Sequence, residues 1–195
     1  AKTQSPNSFV IPGEVQYVSM STPYTNGKLA YSGAMEVYSR YLNNNFMTPR
    51  LREQAGAYGG WSRFGRNGLM SMSSYRDPNL QKTFEVFSEA VDFMEQQEFT
   101  AEMLKPSILG SLKTYYRDRA VSAQTDFVTE LYLEDLSWDD YVKTKAEILG
   151  TTAADLKKIS AGLKVAMKDA NKAVAGNKNK IKKEAQFLER SLSLY

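Results

Sequence analysis

One arginine and one tyrosine lie within a run of small residues, and their side chains have the chemistry to act on a peptide. The run spans residues 52–60 and reads REQAGAYGG. A tyrosine hydroxyl can donate a hydrogen bond to a developing oxyanion, and an arginine guanidinium binds carbonyl oxygens through a fixed fork of donors. Glycines leave room for another backbone to approach, as when an extended peptide pairs with a strand edge. The run is therefore a candidate site for peptide binding through Arg52 and Tyr58.

The same run also has a purely structural interpretation. It reads as a glycine-rich entry to a hairpin, with Tyr58 packed in the core and Arg52 in solvent. The spacing of the residues alone favours this structural interpretation. The pattern G-x-G-x-x-G between a strand and a helix is absent, and so is G-K followed by Ser or Thr. A dinucleotide site and a phosphate-binding loop are therefore excluded.

The chain contains no histidine and no cysteine. Histidine is the commonest metal ligand and the usual general base near neutral pH. A histidine-based zinc site, a Ser-His-Asp triad, a thiolate nucleophile and a disulfide therefore cannot be built from this chain. We predict that it carries no metal site of its own.

Charge is distributed unevenly along the chain. The net charge is +3, but residues 151–195 carry nine Lys and one Arg against two Asp and two Glu. A basic segment can bind nucleic acid, yet these lysines are not interleaved with stacking aromatics, so a solvated helix face is favoured. The acidic residues Glu134, Asp135, Asp139 and Asp140 fit no calcium loop and are more typical of helix ends.

The elements that must position the run can be predicted from periodicity and turn signals. Alternation over residues 15–22 predicts a strand with two partly apolar faces, hence a central one. Asn67-Gly68 predicts a hairpin, and Asp77-Pro78 predicts a helix start. The predicted strands cover about 58–64, 69–75 and 171–176. The predicted helices cover 28–46, 49–54, a helix from 77 whose apolar stripe runs to Met94, 100–119, 123–135, 138–148, 152–168 and the polar tail.

This order of elements predicts an α+β fold. We expect an antiparallel sheet of about four to five strands with helices packed on one face, followed by a helical C-terminal region. Residues 1–13 contain Pro6, Pro12 and Gly13 and are predicted to be a lead-in or linker. Residues 14–195 are predicted to form a single domain. No apolar run approaches the roughly 20 residues that a membrane span needs.

Two motifs together resemble the C-terminal half of the presequence-protease branch of the pitrilysin/insulysin superfamily of zinc metallopeptidases. The first is LREQAGAYGG at residues 51–60, and the second is SYRDPNLQKTFEVF at residues 74–87, beyond the hairpin. The strand VQYVSMS at 15–21 and the late segment AVAGNKNKIKKEA at 173–185 are also similar. The resemblance covers nearly the whole chain.

The resemblance implies a peptidase whose two halves close around unfolded peptides and have different roles. The N-terminal half, on the same polypeptide, would hold zinc through an inverted H-x-x-E-H motif. Arg52 would bind a substrate carbonyl near the scissile bond, and Tyr58 would stabilise the tetrahedral intermediate. Gly56 and Gly59 would belong to the substrate-binding segment. The isolated chain would then be inactive and free of catalytic zinc.

Two further expectations follow from the resemblance. A non-catalytic scaffold domain of the same fold is the alternative function, and the partners would include neither nucleic acid nor a membrane. The compartment would be the cytoplasm in a bacterium and the organelle matrix or stroma in a eukaryote, with no dependence on disulfides.

Overall fold

Six strands form one β-sheet in the computed structural model, which describes residues 7–116, 120–184, 188 and 191–193. The strands are β1 (Ser8–Val10), β2 (Gln16–Pro23), β3 (Gly59–Phe64), β4 (Leu69–Asp77), β5 (Asn171–Gly176) and β6 (Ser191–Ser193). Their spatial order is β3-β4-β2-β5-β1-β6, so β2 is central, as its two partly apolar faces predicted, and β3 lies at an edge.

The sheet is mixed, which differs from the antiparallel sheet of four to five strands that we predicted. The pairs β3–β4, β4–β2 and β2–β5 are antiparallel, whereas β1 pairs in parallel with both β5 and β6. Residues 8–10, which were predicted to be part of a lead-in, form β1, and β6 lies in the tail that was predicted to be helical. Strands of three residues are too short to show an alternating pattern, so the sequence gives no signal for them.

Helices cover one face of this sheet, and the α+β class is confirmed. They are α1 (Gly33–Leu42), a π-helix (Asn43–Glu53), α2 (Gln81–Gln96), α3 (Ala101–Leu112), α4 (Val121–Leu133), α5 (Trp138–Leu149), α6 (Ala153–Ala166) and α7 (Lys178–Glu184), with 3₁₀ turns at Tyr24–Gly27 and Met167–Asp169. Val18 and Met20 of β2 and Met72 of β4 are buried in one core with the helices. The alternate residues of these strands, such as Ser19 and Ser73, lie on the opposite, partly exposed face.

Close helix packing explains one glycine. Gly33 begins α1, and a Cβ atom added there would lie 2.4 Å from the carbonyl oxygen of Thr144 in α5. Its backbone N–H also donates to a carboxylate oxygen of Glu147 at 2.8 Å. Only glycine allows this approach. The helix that was predicted to begin at Lys28 begins at Gly33 instead, because Lys28 adopts a left-handed conformation with φ of 57°.

Lysines of the basic segment contact acidic groups within the domain. Lys164 of α6 forms ion pairs with Asp92 and Glu95 of α2. Lys157 donates to the backbone carbonyl of Glu95 at 2.5 Å. These contacts agree with the interpretation of the lysines as one face of a helix.

Candidate functional site

The π-helix brings Arg52 to the edge of the sheet. Proline lacks a backbone N–H, and Pro49 lies inside this helix, where the wider winding accommodates it. The N–H of Gln54 donates to the carbonyl oxygen of Pro49, five residues earlier, at 3.0 Å. A continuous helix therefore replaces the interruption at Pro49 that was predicted, and Arg52 lies exposed on its last turn.

A tight turn at Gly56 then reverses the chain towards β3. The N–H of Gly56 donates to the carbonyl of Arg52 at 3.2 Å, and the N–H of Ala57 donates to the carbonyl of Leu51 at 2.9 Å. The backbone of Gly56 has φ of 80°, a conformation that residues with a Cβ atom rarely adopt. Gly56 therefore serves the local backbone, and it fixes the distance between Arg52 and Tyr58.

Tyr58 lies exposed directly beside Arg52. Its side chain is 67% exposed, so the alternative in which it packs in the core is wrong. Its backbone N–H donates to the carbonyl of Tyr75 at 3.1 Å, and the guanidinium carbon of Arg52 lies 6.0 Å from the centre of its ring. No described residue accepts a hydrogen bond from the Tyr58 hydroxyl. The fold thus holds an arginine and an available phenol together on one surface.

The two glycines after Tyr58 have different surroundings. A Cβ atom at Gly60 would lie 2.2 Å from the side chain of Leu51, so this glycine is required by packing against the π-helix. At Gly59 the nearest atom to such a Cβ is a ring atom of Trp61, at 3.8 Å. The surface beside Tyr58 is therefore open at Gly59, and another backbone has room to approach there.

The edge of β3 is closed further along the strand. Asn43 accepts a hydrogen bond from the backbone N–H of Ser62 at 2.6 Å and donates to the carbonyl of Ser62 at 3.1 Å. One side chain thus takes both bonds that a neighbouring strand would make with Ser62. Any added strand is therefore confined to the glycine end of β3, next to Tyr58.

A row of aromatic rings supports Tyr58 on the face of the sheet that the helices leave uncovered. The ring of Tyr75 meets that of Tyr58 edge to face at 5.8 Å, and the ring of Tyr17 meets that of Tyr75 in the same way at 5.3 Å. Trp61 lies on the same face and is 44% exposed. Sequence reasoning missed Tyr17 as part of this surface, because alternation assigns a side chain to a face but does not give the register between strands.

A bulge lies beside this row. The pairing of β2 with β4 shifts in register between Gln16 and Val18, opposite Tyr75 and Arg76. Arg76 adopts a left-handed conformation with φ of 49° and is exposed. Bulges of this kind change the direction of a side chain and are frequent beside functional sites. The structure places Arg76 on the exposed surface next to Tyr75.

A helix was predicted to begin at Asp77 and Pro78, but the segment directly after β4 is not helical. Helix α2 begins at Gln81 and has no side-chain cap. Asp77 is completely buried, and its carboxyl group accepts hydrogen bonds from the hydroxyl of Thr83 at 2.7 Å and the backbone N–H of Asn79 at 2.8 Å. Local side-chain bonds of this type compete with helix capping, which explains the difference.

A second group of polar residues lies in a separate cavity of about 480 Å³. We call Tyr31, Glu36 and Tyr115 the phenol cluster. Glu36 accepts a hydrogen bond from the Tyr31 hydroxyl at 3.0 Å and from the Tyr115 hydroxyl at 2.5 Å. Burial raises the pKa of both phenols, and the neighbouring Glu36 carboxylate raises the pKa of each further. Neither Arg52 nor Tyr58 lines this cavity.

The acidic residues near 134–140 lie at helix ends, as predicted. Ser137 and Asp140 form a reciprocal capping box at the start of α5, and Asp139 lies in the same first turn. Hydrogen bonds from the side chain and backbone of Ser137 lower the pKa of Asp140. Within the described part of the chain, no three Asp, Glu, His or Cys side chains are grouped in a way that would hold a metal ion.

Among the described residues, no helix combines the length and the apolar character that crossing a bilayer requires.

Solved structures with a similar fold include pitrilysin and a conserved bacterial protein. Pitrilysin superposes with a TM-score of 0.60 at 12% identity, covering 96% of this chain and 21% of that one. A conserved protein from Enterococcus faecalis superposes with a TM-score of 0.65 at 11% identity, covering 91% of this chain and 43% of that one. At these identities the likeness shows the fold alone, and the fold is that of a pitrilysin-type domain.

The family itself is shown by sequence. Residues 6–178 match the model of the PreP C-terminal domain, and the chain belongs to that family. It is 29% identical over 170 residues to Protein HypA of Clostridium perfringens and 28% identical over 169 residues to Presequence protease 1, chloroplastic/mitochondrial, of Arabidopsis thaliana. The matches cover 87% and 86% of this chain but only 18% and 16% of those proteins. The resemblance to the presequence-protease branch is confirmed.

Proposed function

We propose that this chain is the substrate-binding C-terminal domain of a zinc-dependent oligopeptidase that degrades unfolded peptides in a closed chamber. Its family membership makes it a peptidase C-terminal domain. The observation that carries the finer proposal is the exposed Tyr58, whose position is fixed by its backbone and neighbours and whose hydroxyl has no hydrogen-bond partner among the described residues.

Tyr58 has the features of an oxyanion donor. A hydroxyl stabilises a tetrahedral intermediate only if it is aimed beforehand and is not already bonded to the protein. The bond between Tyr58 and the Tyr75 carbonyl fixes the backbone, and the ring of Tyr75 supports one side of the phenol. In the proposed role, the phenol donates a hydrogen bond to the substrate carbonyl oxygen as it acquires negative charge.

Arg52 has the complementary role of holding the peptide. A guanidinium group presents several donors in one plane and remains charged at any physiological pH. From the last turn of the π-helix, beside Tyr58, it can bind a carbonyl next to the scissile bond. The open surface at Gly59 gives the peptide backbone room to approach.

In this proposal, zinc is bound by another part of the protein. The chain has no histidine or cysteine, and its described acidic residues do not form a cluster that fits zinc. We therefore assign zinc to an N-terminal half, on the same polypeptide, that would bind and activate water there. Relatives several times longer than this chain agree with such a partner half.

Peptides are the proposed substrate class because relatives are named presequence proteases, and peptide contacts suit the surface around Tyr58. One such relative is described as chloroplastic and mitochondrial, and another as mitochondrial. A matrix or stromal location in a eukaryote, and a cytoplasmic one in a bacterium, are the corresponding proposals for this chain.

The proposal is tested in the complete protein, with the zinc-binding half present. Peptide turnover and bound zinc are measured for the wild type, Tyr58→Phe and Arg52→Ala. We expect Tyr58→Phe to lower kcat/KM by about 100-fold and Arg52→Ala to lower it by about tenfold, with zinc content unchanged in both.

Two matched controls separate this role from general surface effects. Tyr116 is 66% exposed, almost the same as Tyr58, and lies against Lys145 instead of Arg52. Arg50 lies in the same π-helix and pairs with Glu89. Tyr116→Phe and Arg50→Ala should retain wild-type turnover. Normal turnover in both Tyr58→Phe and Arg52→Ala would refute the proposal and favour the scaffold alternative.

A further inference from the structure

We propose that Asn79 is a positioning residue that holds the Arg52–Tyr58 segment in its active arrangement. This inference rests on the proposed function of Tyr58. The side-chain amide of Asn79 donates to the backbone carbonyl of Ala55 at 2.7 Å. Ala55 lies between Arg52 and Tyr58 in sequence, so this bond ties the segment to the chain beyond β4.

Asn79 is itself anchored by a buried acid. Asp77 has no exposed surface and lies at the end of β4, paired with Gln16 of β2. Its carboxyl group accepts from the backbone N–H of Asn79 and from the hydroxyl of Thr83, which is also fully buried. Buried polar groups that satisfy one another in this way resist movement. The anchor therefore connects Asn79 rigidly to the sheet and to α2.

The chain that leads to Asn79 holds the segment at its Tyr58 end and in its middle. Near one end, the N–H of Tyr58 bonds to the carbonyl of Tyr75 in β4. Near the middle, Pro78 lies 3.6 Å from the point that a Cβ atom on Gly56 would occupy. The stretch from Tyr75 to Asn79 thus contacts the segment at three places. Among these contacts, only Asn79 donates a side-chain hydrogen bond to the segment.

Loss of such a bond should affect catalysis more than stability. The Asn79 side chain is only partly buried, and its removal costs two hydrogen bonds, one to the Ala55 carbonyl at 2.7 Å and a longer one to the Asp77 carboxyl group at 3.3 Å. We therefore expect a modest loss of stability. Displacement of a catalytic group by about 1 Å can lower the rate by up to 100-fold. A positioning role therefore predicts a drop in kcat that depends on the presence of the Tyr58 hydroxyl.

The experiment is a double-mutant cycle in the complete zinc-containing protein. Peptide cleavage is measured for wild type, Asn79→Ala, Tyr58→Phe and the double variant, with thermal melting of each. Asn79→Leu is included because it keeps the approximate size of the side chain, removes the donor and adds no charge beside the buried Asp77. Asn45→Ala is the matched control, because the Asn45 amide donates to the carbonyl of Tyr41 at 2.9 Å within a helix.

We expect Asn79→Ala and Asn79→Leu each to lower kcat by about tenfold, with little change in KM, and Asn45→Ala to leave kcat within about twofold. In the Tyr58→Phe background, Asn79→Ala should cause no further loss. Wild-type kcat in both Asn79 variants, or an equal loss with and without the Tyr58 hydroxyl, would overturn the inference. Normal turnover of Tyr58→Phe alone would instead refute the proposed function.

Discussion

Two groups of tyrosines in this domain contrast in what their hydroxyls do. In the phenol cluster, the hydroxyls of Tyr31 and Tyr115 both donate to Glu36 inside a cavity. At the candidate site, Tyr58 is largely exposed and its hydroxyl has no acceptor among the described residues. The phenol cluster has the properties of a structural element that connects α1 to the chain beyond α3, whereas Tyr58 is held by its backbone and, among the described residues, has no partner for its hydroxyl. Chemical type alone therefore does not identify a functional tyrosine.

The largest expected difference between the two groups is in catalysis. In the complete protein, Tyr58→Phe should lower kcat/KM by about 100-fold because it removes an oxyanion donor. Tyr115→Phe should leave kcat/KM within about twofold, because its hydroxyl is already bonded to Glu36. Steady-state peptide cleavage measures both. A large loss of turnover in Tyr115→Phe would mean that the phenol cluster takes part in catalysis.

The second difference is in stability. Glu36→Ala should lower the free energy of unfolding by about 1–2 kcal/mol, because two half-buried phenols lose their acceptor. Tyr58→Phe should change it by less than about 0.5 kcal/mol, as is usual for an exposed side chain. Urea unfolding of this chain, followed by circular dichroism, compares the two. Equal stability of the Glu36→Ala variant and the wild type would show that the cluster contributes nothing to folding.

Alanine substitution should lower stability more at Gly56 than at Gly59. Gly56→Ala should cost about 1–2 kcal/mol, because φ of 80° is strained for a residue with a Cβ atom. Gly59→Ala should cost less than about 1 kcal/mol, since the added atom meets only ordinary contacts. Thermal melting of both variants tests this. A more severe loss at Gly59 would contradict the open surface described beside Tyr58.

The smallest expected effect is the response of the phenol cluster to alkaline pH. Burial and Glu36 raise the pKa of Tyr31 and Tyr115 above the ordinary value near 10. Such groups stabilise the fold fully below that ordinary value, and their contribution is lost as pH rises towards the folded-state pKa. Stability should therefore fall above about pH 10, and fall less steeply in Tyr115→Phe. Unfolding measured at successive pH values gives both slopes; identical slopes would contradict the assignment.

The sequence predicted the fold class, the central strand β2, the hairpin and the acidic helix ends near 134–140 because each leaves a local pattern. It did not predict β1, because three residues that pair through their backbone have no periodicity. It also placed the start of α2 too early, because the burial of Asp77 depends on Thr83 and on the rest of the fold.

The candidate site was partly predictable for a similar reason. Residue types and a family resemblance led to Arg52 and Tyr58, but their exposure and mutual contact depend on the π-helix and the turn at Gly56. The contributions of Tyr17 and Asn79 arise from strand register and from bonds between distant segments. Such tertiary relations have no signature in a single sequence.

The central claim is that the Tyr58 hydroxyl acts on the transition state and not on the bound peptide. The most direct test compares two affinities in the complete protein carrying Tyr58→Phe: that of a phosphinic peptide, which mimics the tetrahedral intermediate, and that of a slowly cleaved peptide. We predict that the phosphinic peptide binds about 100-fold more weakly than to the wild type, while the slowly cleaved peptide changes by less than about threefold. Equal changes in both affinities, or no change in either, would contradict the claim.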